Sequence, residues 1–330
     1  MAQGFDVVGM GGAIVDVIAP VHDGFLLTHN IAKGVMTLID EFRANVLYEA
    51  FDDTREIAGG SAANTMAGFA SLGGNGSFIG KVKDDRLGES FIQSLRASGV
   101  DYTIAPAQSG PSTACCLIAV TDDGQRSMNT YLGAARELSP ADIDEAAVAK
   151  ADILYIEGYL WDAPDPKAAI TKAIGIAKKS GRKAALTLSD PFCVGRWRDE
   201  FLSLLRNDLD IVFANEEEAK ALFELENFDD VLQQFESWDG IAAITRSAKG
   251  CVVARKGEVH VIDAAPVSRV IDTTGAGDQF AAGFLYGVTH GKSLADCGRL
   301  GALCAAEVIS HYGARPDVSL KALAQENGLI

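Results

Sequence analysis

Strand-like and helix-like segments alternate through the second half of this 330-residue sequence. Because parallel neighbouring strands need a crossover between them, usually a helix, this alternation predicts a parallel sheet with helices on both faces. The predicted strands are 153–156, 183–188, 211–214 and 241–245. The predicted helices are 165–180, 196–207, 215–225, 228–237, 277–290, 293–312 and 319–326, with a hairpin at 250–262.

Two strand-rich segments, 13–57 and 107–133, interrupt this series. We expect them to form one small β-sheet lid, inserted twice into a single α/β core made of 1–12, 58–106 and 134–330. The predicted fold is therefore a three-layer α/β/α core with a mostly parallel sheet, plus the lid. Apolar residues make up 48% of the chain, which is ample for such a core.

The composition limits the partners of the chain. Its 29 Lys and Arg against 45 Asp and Glu give a net charge of −16, which disfavours nucleic acid and anionic membranes as main partners. We find no apolar run long enough for a transmembrane helix and no secretory signal, so we expect a cytoplasmic location. Oligomeric state stays open between monomer and homodimer.

A glycine-rich segment, DTTGAGDQF, spans 272–280 between a strand-like run and a helix. Gly275 and Gly277 allow backbone N–H groups to converge at the start of the helix, which predicts a site for a phosphoryl group. Asp278 could then accept a proton from an attacking hydroxyl. The alternative is an ordinary helix cap with closely packed glycines, and spacing alone leaves both readings open.

This segment resembles the signature D-T-x-G-A-G-D-x-F of the PfkB (ribokinase-like) carbohydrate kinase family. The second signature of that family, a Gly-Gly pair followed by Asn, is similar to Gly59, Gly60 and Asn64. The resemblance implies a ribokinase-like fold and direct transfer of the γ-phosphate of ATP to an alcohol.

The resemblance also implies residue roles. Asp278 would be the base, and Gly275, Ala276 and Gly277 would form the anion hole. Asp16 and Asn64 would bind the substrate's hydroxyl groups, with Gly59 and Gly60 allowing close approach of the backbone.

Further positions are assigned by the same resemblance. Asn215 and Glu218 match the family's Asn-x-x-Glu motif for Mg²⁺, with Glu218 acting through water, although spacing alone favours a helix cap. Thr245 and Gly250 match its nucleotide loop, in which Ser247 replaces a glycine. Helix 293–312, including Gly301, Ala302 and Cys304, would wall the nucleotide base. A monovalent cation such as K⁺ would bind near Asp272, Thr274 and Gly313.

Local strings such as YIEGYL at 155–160 and LTLSDPF at 186–192 resemble the adenosine-kinase branch of the family. They imply adenosine as substrate, with Arg126 in the lid neutralising charge during transfer. The implied apolar purine pocket consists of Ile14, Met36, Met128, Leu132, Tyr159 and Phe192. The alternatives are a kinase for a free sugar, such as ribose or fructose, and a nucleoside-binding regulator without catalysis.

Overall fold

The computed structural model describes residues 4–330. The first three residues, which the sequence analysis assigns to the core, lie outside this range. The strands are β1 (Val7–Met10), β2 (Ile14–Pro20), β3 (Met36–Leu38), β4 (Arg55–Gly59), β5 (Gly76–Ile79), β6 (Ala114–Val120), β7 (Arg126–Tyr131), β8 (Ile153–Glu157), β9 (Lys183–Thr187), β10 (Ile211–Asn215), β11 (Ile241–Thr245), β12 (Cys251–Arg255) and β13 (Glu258–Ile262).

The helices separate these strands and cover them. They are α1 (Asp23–Thr28), α2 (Glu41–Ala50), α3 (Ser61–Ser71), α4 (Arg86–Ala97), α5 (Glu145–Lys150), α6 (Pro164–Lys179), α7 (Pro191–Asn207), α8 (Glu216–Phe223), α9 (Phe228–Glu236), α10 (Ala276–Thr289), α11 (Leu294–Val308) and α12 (Leu320–Glu326). Within residues 4–330, no helix is long and apolar enough to cross a membrane.

The larger sheet has eight strands in the order β13-β12-β11-β10-β9-β8-β1-β5. Neighbours from β5 to β11 are parallel, and β12 and β13 form an antiparallel hairpin at one edge. One apolar cluster packs α3, α10 and α11 on one face of the sheet, and a second packs α6 to α9 on the other. The predicted three-layer core with a mostly parallel sheet is therefore confirmed.

The smaller sheet has five strands in the order β3-β7-β6-β2-β4. Side chains along β2 alternate, so Val15 and Val17 are buried while Asp16 lies on the opposite face. The buried face packs against apolar side chains of α1 and α2, such as Leu26 and Leu47. The face that carries Asp16 is therefore left for a site. That this sheet acts as a lid stays a prediction.

Two helix boundaries differ from the sequence prediction by more than two residues. α7 begins at Pro191 rather than at residue 196, because the Asp190 side chain accepts a hydrogen bond from the Cys193 amide (2.7 Å) and caps the helix there. α11 ends at Val308 rather than at residue 312. The Ser310 hydroxyl donates to the Glu307 carbonyl (2.6 Å), a local bond typical of a chain leaving a helix.

Candidate active site

A tight glycine turn begins α10. Gly275 is the N-cap with φ of 79°, and a Cβ there would lie 2.6 Å from Ala314 Cα, so the turn requires glycine. The Ala276 amide donates to the Thr273 carbonyl (3.2 Å), whereas in the described chain the Gly277 and Asp278 amides have no backbone partner. These two amides, at the positive end of a 14-residue helix, suit an anion.

Asp278 lies in the first turn of α10 and is held from α3. Ser61 Oγ donates to its Oδ1 (2.6 Å) and Asn64 Nδ2 donates to its Oδ2 (3.2 Å). Loss of hydration raises the pKa of Asp278 to about 6, although both hydrogen bonds act in the opposite direction. The carboxylate is therefore mostly ionised at neutral pH and has a pKa suited to a general base.

A cavity of about 690 Å³ opens on one side of Asp278. This volume is typical of small-molecule sites. Its walls include seven residues that the sequence analysis assigned to the nucleotide or to phosphoryl transfer, namely Asn215, Glu218, Thr245, Gly250, Ala276, Gly277 and Asp278. Ser247 also lines it, with φ of 51°, a conformation that glycine adopts at lower cost.

α11 contributes to this cavity through one of the three residues predicted, Ala302, and through two that were not named. Ala302, Ala305 and Ala306 line it. Gly301 instead packs against α10, where a Cβ would lie 2.8 Å from the Phe280 carbonyl oxygen, and Cys304 is buried in the core. Gly301 and Cys304 therefore do not line the cavity, because the neighbouring face of the helix is the one that meets it, and their contact with the nucleotide base stays a prediction.

A second, much smaller pocket lies between the smaller sheet, α3 and the segments around residues 274 and 313–315. Five of its polar or glycine residues are predicted site residues, namely Asp16, Asn64, Arg126, Thr274 and Gly313. Arg315 lines it as well. Burial raises the pKa of Asp16 to about 6, while the charges of Arg126 and Arg315 oppose the shift. Asn64 therefore joins this pocket to Asp278, which lines the large cavity.

Gly59 and Gly60 give this pocket its shape. A Cβ at Gly59 would lie 2.7 Å from the Asp16 carboxylate. Gly60 has φ of 90°, and a Cβ there would lie 2.2 Å from the Gly12 carbonyl oxygen. Side chains at these two positions would displace Asp16 or the start of α3.

Arg126 forms an ion pair with Asp272. Thr274 donates to Asp272 through its amide (3.0 Å) and hydroxyl (2.7 Å), and Gly313 donates through its amide (3.2 Å). Burial alone would raise the pKa of Asp272, but these hydrogen bonds and Arg126 lower it overall. Asp272, Thr274 and Gly313 are thus brought together, although Asp272 is already paired with a guanidinium; K⁺ binding stays a prediction.

Asn215 and Glu218 form a reciprocal cap at the start of α8. Asn215 Oδ1 accepts from the Glu218 amide (2.8 Å), and Glu218 Oε2 accepts from the Asn215 amide (3.0 Å). Burial raises the pKa of Glu218 to about 7. In the described chain, no group of three metal-ligating side chains occurs. A lone carboxylate at the cavity wall fits Mg²⁺, which usually keeps its waters and binds substrate phosphates.

The six predicted purine-contacting residues do not share one cavity. Ile14 and Met128 lie on the Asp16 face of the smaller sheet, and Met36 pairs with Met128 across β3 and β7. Leu132 follows β7 and is half-buried. Tyr159 and Phe192 follow core strands and are 42% and 80% exposed. None of the six lines the pocket of Asp16, so the purine pocket stays a prediction.

Comparison with known proteins shows which family this chain belongs to. The family model described as pfkB family carbohydrate kinase matches residues 37–321. The chain belongs to this family.

Three relatives illustrate the similarity. The crystal structure of adenosine kinase from Sinorhizobium meliloti is 49% identical, with a TM-score of 0.90, over 98% of this chain and 100% of that one. The probable sugar kinase from Rhizobium etli CFN 42 is 48% identical, with a TM-score of 0.92, over 99% and 100%. Adenosine kinase from Saccharomyces cerevisiae is 28% identical over 93% of this chain and 95% of its own.

The predicted ribokinase-like fold and kinase activity are confirmed by these matches. This pfkB-family kinase is a phosphotransferase with an alcohol acceptor, and the family implies ATP, usually with Mg²⁺, as the donor. Its acceptor is not decided by family membership alone.

Three site residues of this pfkB-family kinase escape the sequence analysis. Ser61 holds Asp278, and Arg315 contacts Asn64 (3.2 Å). Glu157 is 3% exposed and accepts from the Gly12 (3.2 Å) and Ala62 (3.0 Å) amides. Ser61 directly follows the Gly59-Gly60 motif, which is a usable signal. No motif assigns a role to Arg315, and the string YIEGYL assigns none to Glu157. Only the fold brings these two side chains to the site.

Proposed function

We propose that this pfkB-family kinase transfers the γ-phosphoryl group of ATP to the 5′-hydroxyl of a ribonucleoside, with adenosine as the favoured substrate. One observation carries the proposal. Asp278 lines the large cavity and is hydrogen-bonded to Asn64, which lines the small polar pocket (3.2 Å). A single carboxylate thus lies between a space for a nucleotide and a space for a sugar.

In this proposal Asp278 acts as the general base. It takes the proton of the 5′-hydroxyl as that oxygen bonds to the γ-phosphorus and the bond to the bridging β-γ oxygen breaks, so ADP leaves. Charge in such transfers spreads over the phosphoryl oxygens, where fixed donors stabilise it. The Gly277 and Asp278 amides, which lack backbone partners in the described chain, supply those donors.

Two further groups would neutralise the negative charge of the phosphates. Mg²⁺, when bound, would neutralise the phosphates, and Glu218 at the cavity wall would hold it through water. Arg126 forms an ion pair with Asp272, in the segment that leads into the glycine turn. Closure of the smaller sheet over the site would bring Arg126 toward the transferred group and exclude water.

Asp16 and Asn64 would bind the vicinal hydroxyls of the ribose. A carboxylate accepts two hydroxyl protons, and an amide both donates and accepts. The absence of a side chain at Gly59 leaves room for this carboxylate, since a Cβ would come within 2.7 Å of it.

Adenosine is favoured by two observations. The S. meliloti relative named adenosine kinase is 49% identical over nearly the whole chain. Met36 and Phe192, which are 50% and 80% exposed, would provide apolar surface for a purine once the smaller sheet closes. A free sugar is the second candidate, because the R. etli relative is a probable sugar kinase and the Asp16 pocket is small.

An acceptor panel tests the proposal. ADP release is measured with ATP and adenosine, inosine, guanosine, ribose or fructose, and the phosphorylated product is identified by chromatography. ATP alone corrects for hydrolysis, and 5′-deoxyadenosine serves as a matched acceptor without the reacting hydroxyl. We expect the highest kcat/KM with adenosine, AMP as product, and no turnover of 5′-deoxyadenosine. A clear preference for ribose or fructose would show that the nucleoside assignment is wrong.

A further inference from the structure

Arg315 is a half-buried arginine at the edge of the Asp16 pocket. Its Nε donates to Asn64 Oδ1 (3.2 Å), and its Nη1 donates to the Oγ atoms of Ser94 in α4 (3.1 Å) and of Ser98 directly after α4 (3.4 Å). Its Nη2 is buried without a partner among the described residues. The guanidinium is therefore fixed between α3 and α4, on the side of Asn64 that faces away from Asp278.

These contacts leave Asn64 with one acceptable orientation. Its Oδ1 faces the Arg315 donor, and its Nδ2 faces the Asp278 carboxylate (3.2 Å). A flipped amide would place its NH₂ against the guanidinium and its oxygen against the carboxylate, so that two favourable contacts would become repulsive. Arg315 therefore determines which end of Asn64 reaches Asp278.

We propose that Arg315 is a positioning residue for phosphoryl transfer, which holds the Asn64 amide so that its Nδ2 keeps the Asp278 carboxylate directed at the acceptor. The inference rests on the proposed function only in taking Asp278 as the base. An amide in this orientation still has one N–H and one lone pair for a sugar hydroxyl. Arg315 thereby supports both substrate binding and the base.

Charge gives Arg315 a second effect in the same site, on Asp16. The Asp278 carboxylate interacts with Asp16 on β2 and with Glu157 and Tyr155 on β8, and the charges of Arg126 on β7 and Arg315 act on Asp16. Asp16, Glu157 and Asp278 form a cluster of three acids. Removing the Arg315 charge would favour protonation of Asp16. Loss of the Asn64 hydrogen bond, which lowers the pKa of Asp278, would favour protonation of Asp278 itself.

The test compares pH profiles of kcat/KM for wild type, Arg315→Met and Arg315→Lys with ATP and adenosine. We expect Arg315→Met to lower kcat about ten- to a hundredfold, the cost of a charged hydrogen bond, and to move the acidic limb to higher pH. Arg315→Lys keeps the charge and should move the limb less. If the acidic limb of the Arg315→Met profile stays at the wild-type pH while this variant still binds ADP, the inference is overturned.

A double-mutant comparison shows whether Arg315 acts through Asn64. In an Asn64→Ala background, Arg315→Met should change kcat by less than about threefold, because the effects of coupled residues do not add. Fully additive losses would contradict the inference. Arg96→Met serves as the control, since exposed Arg96 donates to the Tyr102 carbonyl (2.8 Å) away from the site. Turnover that survives Asp278→Asn would instead refute the proposed base, independently of Arg315.

Discussion

Single glycines give the candidate site its shape. Gly59 leaves room for the Asp16 carboxylate, whose oxygens lie 2.7 and 2.9 Å from where a Cβ would be. Asp16 in turn faces the pocket that contains Asn64. The smallest substitution at residue 59 is therefore a sensitive probe of substrate binding.

Gly59→Ala is expected to reduce kcat/KM for adenosine about ten- to a hundredfold, because the added methyl group must displace Asp16 by a large fraction of an ångström. Steady-state kinetics at saturating ATP measure this change. Gly24→Ala is the matched control, since a Cβ at Gly24 meets nothing within 4 Å, and its kinetics should equal those of wild type. Unchanged kinetics in Gly59→Ala would refute the role given to Asp16.

At the scale of single residues, only those that belong to short motifs could be predicted from the sequence. Asp278, Gly275, Gly59 and Asn64 could be proposed as site residues from the sequence because each belongs to a short string that resembles a family signature. Arg315 could not, because its partners Asn64 and Ser94 are more than two hundred residues away in the chain. Such a contact has no local pattern.

At the scale of elements, strand and helix positions follow from local periodicity, and the core strands were predicted within one or two residues. The face that a helix presents to a ligand does not follow from local periodicity. α11 packs against α10 and also lines the cavity, and its small residues Gly301, Ala302 and Cys304 look alike in the sequence. Gly301 packs against Phe280 of α10 whereas Ala302 lines the cavity, and only the structure shows this difference.

The smaller sheet also shows what local periodicity cannot predict. The two segments that contain its strands could be located, apart from the last two residues of β4, because both interrupt the strand–helix alternation. Its order, β3-β7-β6-β2-β4, places two parallel pairs among antiparallel ones. Alternating apolar residues do not encode pairing between distant strands, so this order needed the structure.

At the scale of the whole molecule, the net charge of −16 contrasts with a site for polyanionic ATP. In the proposed mechanism, the backbone amides at the start of α10 and Arg126 meet this negative charge locally. The acids near the site are mostly shielded from water: burial raises the pKa of both Glu157 and Glu218 to about 7. Buried acids of this kind make stability depend on pH.

We expect the free energy of unfolding of the ligand-free protein to fall by about 2 kcal/mol or more from pH 5 to pH 8. The folded-state pKa of Glu157 is raised, so the unfolded chain loses this proton at lower pH, and stability declines until pH exceeds about 7. Urea unfolding at several pH values measures the slope. Glu157→Gln should flatten it, whereas Glu226→Gln, at an exposed position, should not; a rising slope would contradict the raised pKa values.

The measurement that tests the central claim most directly is turnover of adenosine and ATP by Asp278→Asn at pH 7.5. We predict a loss in kcat of about a thousandfold or more, with KM changed less than about threefold, because the base acts in the transition state. ADP binding should be retained, and the exposed control Asp165→Asn should equal wild type. A kcat within tenfold of wild type would show that Asp278 is not the base.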